Sequence, residues 1–273
     1  MTGDPLIIPE DRLPPGFAAR IETPPEVPAE ARPAATVVLV RDTSHGLESL
    51  LMRRHRAAGF VPGAWVFPGG RVDAADASPD LWSCGAPPAV EPPAPFWAAA
   101  VREVFEETGV LLARGRDGTP VPGAPADATL RVWREALLED RATLLDVVQD
   151  RSLCLALEHT IRFAHWITPL AEPRRYDTHF FLAALPEGAV VSADAREMTA
   201  AQWLSPRTAL ERFEQGDLPM VFPTVKVLES LTRFADVMAA VAALRRESVH
   251  PIMPRLVRTR GGIGFLIDAE GSG

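Results

Sequence analysis

The sequence is poor in cysteine, in lysine and in long apolar runs, and each shortage excludes a class of protein. Two cysteines, Cys84 and Cys154, are too few for a disulfide scaffold or a four-cysteine zinc site. Inert or exposed thiols in a reduced cytoplasm are therefore expected. No apolar stretch approaches the roughly 20 residues that span a bilayer, so no membrane association is expected. Met1–Glu10 lack the basic-then-apolar order of a secretory leader. Gly271–Gly273 match neither a prenylation box nor a peroxisomal address. Lys226 is the sole lysine among 28 basic residues, and 36 acidic residues bring the formal net charge to −8. A chain of that sign is not expected to bind nucleic acid by neutralising phosphates. The arginine excess reads as the mark of a GC-rich genome, so an anion site must be argued from local clustering.

What is present fits a globular protein with a sizeable core. The chain has 273 residues, 47% of them apolar and 23% charged, enough for one large domain or two small ones. Proline divides it. Eight prolines fall in residues 1–33, six in 79–95 and three in 120–125. Proline fixes φ and lacks an amide donor, so these stretches are not expected to be regular helix or central strand. They read as an irregular arm, an inserted loop and a surface loop. Periodicity predicts strands over 35–41 and 48–54 joined at His45-Gly46, a helix over 96–108 closed by Gly109, and a short strand over 109–113. Helices are predicted over 128–140 and 143–158, and strands over 161–168, 178–185 and 197–204. Ser205-Pro206, Pro223 and Asp236 each suit the start of a further helix. Helices interleaved with hairpin-linked strands imply an α/β fold with a mixed sheet.

The helix over 96–108 carries the chemistry. With Glu103 as origin, Glu107 falls roughly 40° to one side and Glu106 roughly 60° to the other on a helical wheel. Val101, Val104 and Phe105 take the other side. Like charges at these spacings repel by about 0.2–0.5 kcal/mol per pair, and they crowd the end of the helix where the macrodipole disfavours anions. A hard divalent cation would offset these terms, and Mg²⁺ favours such carboxylate oxygens while keeping room for a substrate phosphate. An acidic surface face, with Arg102 paired to Glu106, is the plainer alternative.

The surrounding residues bear on that choice. Residues 67–76 read Phe-Pro-Gly-Gly-Arg-Val-Asp-Ala-Ala-Asp, and residues 102–110 read Arg-Glu-Val-Phe-Glu-Glu-Thr-Gly-Val. Together they resemble the signature of the Nudix hydrolases, G-x5-E-x7-R-E-U-x-E-E-x-G-U, with U a bulky aliphatic residue. The second half matches throughout. In the first half Asp76 stands where the family has Glu, and the next gap holds 25 residues instead of seven. The excess is an 18-residue insertion, placed over 77–94, with Leu81 and Trp82 as exposed apolar candidates. Residues 50–70 resemble the motif of coenzyme A diphosphatases, LLTxR(S/A)xxxRxxxGxxxFPGG, but Met52, His55 and Gly59 depart from it. The run Ile167-Thr168-Pro169 and the stretch Arg174 to Phe181 look most like the peroxisomal acyl-CoA diphosphatase branch.

The resemblance implies a Nudix α/β/α sandwich over 34–235, after an arm over 1–33 and before a helical extension and tail over 236–273. It implies hydrolysis of the pyrophosphate of coenzyme A or an acyl-CoA to 3′,5′-ADP and (acyl-)4′-phosphopantetheine, with Mg²⁺ or Mn²⁺ as cofactor. ADP-ribose or an NADH-type dinucleotide is the alternative substrate, and a non-catalytic nucleotide-binding domain the contrasting reading. Glu103, Glu106, Glu107 and the Gly69 carbonyl would hold metal. Glu103 or Glu197 would be the general base, and Arg102 would orient the carboxylates. The stretch from Arg53 to Arg71 contains no acid. It offers Arg53, Arg54, Arg56 and Arg71 as substrate contacts, with Arg54 expected to read a 3′-phosphate. Arg175, beside Arg174, is a further candidate. The partner expected is a small nucleotide, with homodimerisation left open. The histidines His45, His55, His159, His165 and His179 show no close metal-ligand spacing, and the tryptophans read as packing groups.

Overall fold

The computed structural model describes residues 7–8, 21–22, 25–55, 63–88, 91–121 and 123–267. Its centre is one mixed sheet. Strand β2 (Ala31–Thr43) pairs in parallel with β9 (Arg175–Ala184) along one edge. Along its other edge it pairs antiparallel with β3 (Gly46–Arg54) and with the short β5 (Gly69–Arg71). Strands β10 (Met198–Leu204) and β4 (Trp65–Val66) add to β3, and β8 (Thr160–Ile167) and then β11 (Pro251–Ile252) lie beyond β9.

Alternation along β2 explains why both faces are covered. Ala35, Val37 and Leu39 belong to one buried cluster, and Val38 and Val40 to another. Helix α1 (Ala94–Thr108), α2 (Ala128–Leu138) and α3 (Leu144–Asp150) cover the first face. Helix α4 (Pro206–Glu214), α5 (Phe222–Leu231) and α6 (Val237–Leu244) cover the second. This is the α/β/α sandwich expected from sequence.

The expected caps form. Gly109 closes α1 in the left-handed region at φ 74°, and its N–H donates to Phe105 O at 2.9 Å. Ser205 and Asp236 accept from Thr208 N and Ala239 N.

Five expectations are corrected. Strand β2 begins at Ala31 and contains Pro33, because the proline carbonyl still accepts, here from Val72 N at 2.9 Å. Ile7–Ile8 of the arm form β1, paired with β13 (Gly262–Leu266). Residues 109–112 are not strand; β6 (Ala113–Gly115) follows and pairs with β7 (Leu153–Leu155), so the helix expected to reach 158 stops at Asp150. The tail after α6 is not only helical: β12 (Arg255–Thr259) and β13 form a hairpin, and Phe265 stacks on Phe222 at 4.5 Å.

The insertion also differs from expectation. Leu81 is buried in the α1-side core and Trp82 packs against it. Cys84 and Cys154 are joined in a disulfide between the insertion and β7, so neither is a free thiol. A cavity of about 240 Å³ lies between the insertion and the β6–β7 ribbon, lined by Leu81, Trp82, Arg114 and Leu157 among others.

Candidate active site

The site forms where β5 passes beneath α1. Gly70 makes that approach feasible: a Cβ there would stand 2.4–2.6 Å from the Glu103 carboxylate. Its neighbour Gly69 donates its N–H to Glu107 Oε2 at 3.0 Å. The glycine loop thus holds two of the three carboxylates against the helix that carries them.

Arg102 organises the cluster from below. Its side chain is 8% exposed. Nε and Nη2 donate to the two oxygens of Asp76, both at 3.0 Å. Nη1 donates to Glu103 at 2.8 Å and to Glu106 at 3.1 Å, and Nη2 also reaches the Arg71 carbonyl at 2.7 Å. The insertion has therefore not displaced Asp76. It is buried, paired in the bidentate way that suits arginine, and tied back to Asp73 N. Burial alone would lower the Arg102 pKa, but Asp76, Glu103 and Glu106 more than offset it and hold the guanidinium charged.

The carboxylates are short of compensation. Burial pushes Glu103 up to about 7 against the opposing pull of Arg102. Burial likewise pushes Glu106 up to about 8, and raises Glu107 well above the ordinary range, with Glu103 adding to the effect. Anions gathered this tightly are matched to a multivalent cation, and their hard oxygen donors fit Mg²⁺ or Mn²⁺.

Other arginines divide between the site and the frame. On β3, Arg54 falls on the side of Leu50 and Met52, which face α1, and Arg53 on the side of Leu51, which faces away. Arg54 lies close enough to Glu107 to oppose the rise in its pKa, and its buried Nε has no hydrogen-bond partner among the described residues. Arg53 is thus turned from the carboxylates. Arg71 is exposed and meets the cluster through its carbonyl. Arg175 is spent on the frame: it donates to the Thr168 and Ala29 carbonyls at 3.0 and 2.8 Å. Arg56 lies outside the described residues. Glu197, exposed just before β10, raises the pKa of both Glu103 and Glu107 and so lies within electrostatic reach of them.

Two groupings were not legible in the sequence. Arg134 of α2 is buried, donates to the Glu106 carbonyl at 2.8 Å, and sits at the negative, carbonyl end of α1. His165, Asp177 and His179 meet across β8 and β9, with their ligand-type atoms all within 4.8 Å of one another. Their spacing hides this because the contact runs between strands. Tryptophans 65, 97 and 166 are buried packing groups, while Trp203 lies under the Arg41 guanidinium at 4.4 Å.

Comparison with known proteins places this geometry. The NUDT19 Nudix domain profile matches residues 93–231. The chain belongs to the Nudix hydrolase family. Human "Acyl-coenzyme A diphosphatase NUDT19" is 30% identical over 89% of this chain and 80% of its own. The chicken protein of the same name is 33% identical over 69% of this chain and 62% of its own. A Nudix hydrolase from Alicyclobacillus acidocaldarius superposes with a TM-score of 0.66 at 30% identity, covering 81% of this chain and 99% of its own. As a Nudix hydrolase the protein acts on pyrophosphate bonds.

Proposed function

We propose that the enzyme hydrolyses the pyrophosphate of coenzyme A or an acyl-CoA, giving 3′,5′-ADP and (acyl-)4′-phosphopantetheine. The observation that carries this reading is the clustering of Glu103 and Glu107 at the Gly69-Gly70 loop, with Glu106 joined to them through Arg102, in a chain similar to relatives named acyl-coenzyme A diphosphatase. The three carboxylates, with the Gly69 carbonyl, would hold Mg²⁺ or Mn²⁺. Bound there, a divalent ion supplies charge neutralisation at the phosphates and a more acidic water.

The chain's own residues do the rest. Arg102, fixed by Asp76, keeps Glu103 and Glu106 pointed at one locus. Arg54 presents a cation on the same side as Glu107 and suits the pyrophosphate itself better than a distant phosphate. The proton of the attacking water goes to a carboxylate, Glu103 within the cluster or Glu197 at its rim. Arg134 binds the last turn of α1 and keeps Glu106 and Glu107 in register. The Nudix unit is assigned to 34–235, with the insertion as part of its fold.

The test is an assay of purified protein with Mg²⁺ or Mn²⁺ against CoA, acyl-CoA, ADP-ribose, NADH and diadenosine tetraphosphate, with products resolved by chromatography. Release of 3′,5′-ADP, with the highest kcat/KM for CoA or an acyl-CoA, is expected. A higher kcat/KM for ADP-ribose or NADH would move the assignment to that substrate class.

A further inference from the structure

A second polar cluster lies on the same face of the sheet as the carboxylates. Gly70 pairs with Ala35, Ala35 with His179, and His179 with His165, so these four residues form one row across β5, β2, β9 and β8. At about 4.8 Å per strand, His179 stands roughly 10 Å from Gly70. Phe96, in the first turn of α1, sets its ring edge on His179 at 4.5 Å. Both clusters therefore adjoin one helix.

Arg162 is the centre of this second cluster. Residues three apart on a regular strand face opposite sides, but β8 is irregular between Arg162 and Ala164. The extra residue turns Arg162 to the side of His165 and His179. Arg162 Nε donates to His179 Nδ1 at 2.9 Å, and Nη2 lies 3.5 Å from His165 Nδ1. On its far side His165 bonds through Nε2 to the Asp177 carboxylate, which fixes the tautomer that leaves Nδ1 as acceptor. His179 is buried and neutral, its pKa pulled down to about 3 by burial and then by His165 and Arg162.

A guanidinium held this way is unusual in its bookkeeping of charge. Its fixed partner is the neutral imidazole of His179, with the His165 ring beside it. Among the described residues no carboxylate pairs with it within 4.0 Å; Asp177 and Glu91 act on it only at longer range. It is half-buried, and its Nη1 makes no hydrogen bond among those residues. Orientation is thereby fixed, the positive charge is retained, and one end of the fork faces away from the anchoring histidines. That is the arrangement for gripping a phosphate. A divalent cation could also use His165, Asp177 and His179. Arg162 already takes the His179 Nδ1 lone pair and sets a positive charge beside His165, and this favours an anion.

We propose that Arg162, positioned by the His165–Asp177 pair and His179, binds a phosphate monoester carried by the substrate at the far side of α1's first turns from the pyrophosphate. Resting on the coenzyme A reading above, that group is the 3′-phosphate, and the role moves from Arg54 to Arg162.

Two measurements test this. Isothermal calorimetry of 3′,5′-ADP and 5′-AMP needs no turnover, so it stands even if coenzyme A is not the substrate. The wild type should bind 3′,5′-ADP at least tenfold more tightly than 5′-AMP, Arg162→Gln should reduce that preference to about twofold, and Arg162→Lys should restore part of it. In kinetics, Arg162→Gln should lower the kcat/KM ratio of CoA to dephospho-CoA by the same factor, chiefly through KM. His179→Gln should move the ratio in the same direction if the imidazole positions the guanidinium. A wild type that does not distinguish the two nucleotides, or an Arg162→Gln variant that retains the preference, overturns the proposal. Zn²⁺ binding lost in His165→Asn, with nucleotide preference intact in Arg162→Gln, would assign the cluster to a metal. Failure of the wild type to cleave CoA, with the 3′,5′-ADP preference intact and Arg162-dependent, would refute the coenzyme A reading alone.

Discussion

Glu107 carries three opposed influences at once: burial, the neighbouring Glu103 charge, and a place at the negative end of α1. The Gly69 N–H and the nearby cations of Arg54 and Arg134 oppose them. Glu107→Gln keeps the shape and one hydrogen-bond acceptor while removing the charge. Turnover at saturating Mg²⁺ should fall by at least about 100-fold, as for loss of a group that binds metal. The metal-free protein should gain a few tenths of a kcal/mol because repulsion is relieved. Parallel steady-state assays and thermal melts check both, and near-wild-type turnover would remove Glu107 from the metal site. The pH dependence has a definite sign. Glu103 and Glu106 titrate near 7 and 8 in the folded protein, above the ordinary value of 4.5. Between pH 4.5 and about 8 the folded state therefore holds more protons than the unfolded chain. Stability of the metal-free protein should be greatest below that window and fall as pH rises through it. Melts in chelator from pH 5 to pH 8 measure this, and a midpoint that climbs with pH would contradict the burial of these groups.

At the scale of elements, the insertion is a packed part of the core and not a detachable flap. Leu81 is 2% exposed and belongs to the same cluster as α1. Leu81→Ala should lower stability by about 2–4 kcal/mol through the cavity it leaves. The Cys84–Cys154 disulfide closes a separation of 70 residues. Cys154→Ser should cost roughly 2–4 kcal/mol, visible as a lower denaturant midpoint, with a steeper slope because the unfolded chain without the cross-link exposes more surface. Equal midpoints for wild type and Cys154→Ser would mean that the bond does not constrain the unfolded chain. Shortening residues 79–94 would remove Leu81 from the core together with the disulfide, so a lower midpoint in thermal melts is expected. The cavity beside the insertion is lined by none of Glu103, Glu106, Glu107 or Arg54.

Across the whole molecule, metal, sheet and tail are linked through α1 and α5. A divalent ion bound only by the folded state at 100 times its Kd adds about 2.7 kcal/mol, which for a chain of this size is roughly 5–10 °C in Tm. Addition of Mg²⁺ should give such a rise and flatten the pH dependence, because bound carboxylates no longer take up protons. An unchanged Tm, with Glu107→Gln behaving as wild type, would refute the assignment. The hairpin β12–β13 closes the other end: its Phe265 covers Phe222 of α5, and β11 extends the sheet beside β8. Truncation after His250 should expose Phe222 and lower Tm, read by the same melts.

The sequence alone determined what depends on local order. The α1 carboxylates share an arc because a helix repeats every 3.6 residues, Gly109 ends that helix because it alone tolerates the left-handed cap without strain, and the apolar run of β2 demands burial on both faces. The family signature rests on the same local spacings, so it survived an insertion of 18 residues. Tertiary structure decided what depends on approach between distant segments. Asp76 stays beneath Arg102 because the chain leaves and returns on either side of the insertion. Arg175 is consumed by backbone carbonyls that lie 7 and 146 residues away in the chain. The two cysteines meet because β7 runs beside the insertion. His165 and His179 stack at 4.0 Å only because β8 and β9 pair in that register, with a bulge that brings Arg162 to their side. Pairing register and bulge position are set by whole-sheet packing, and no window of consecutive residues encodes them.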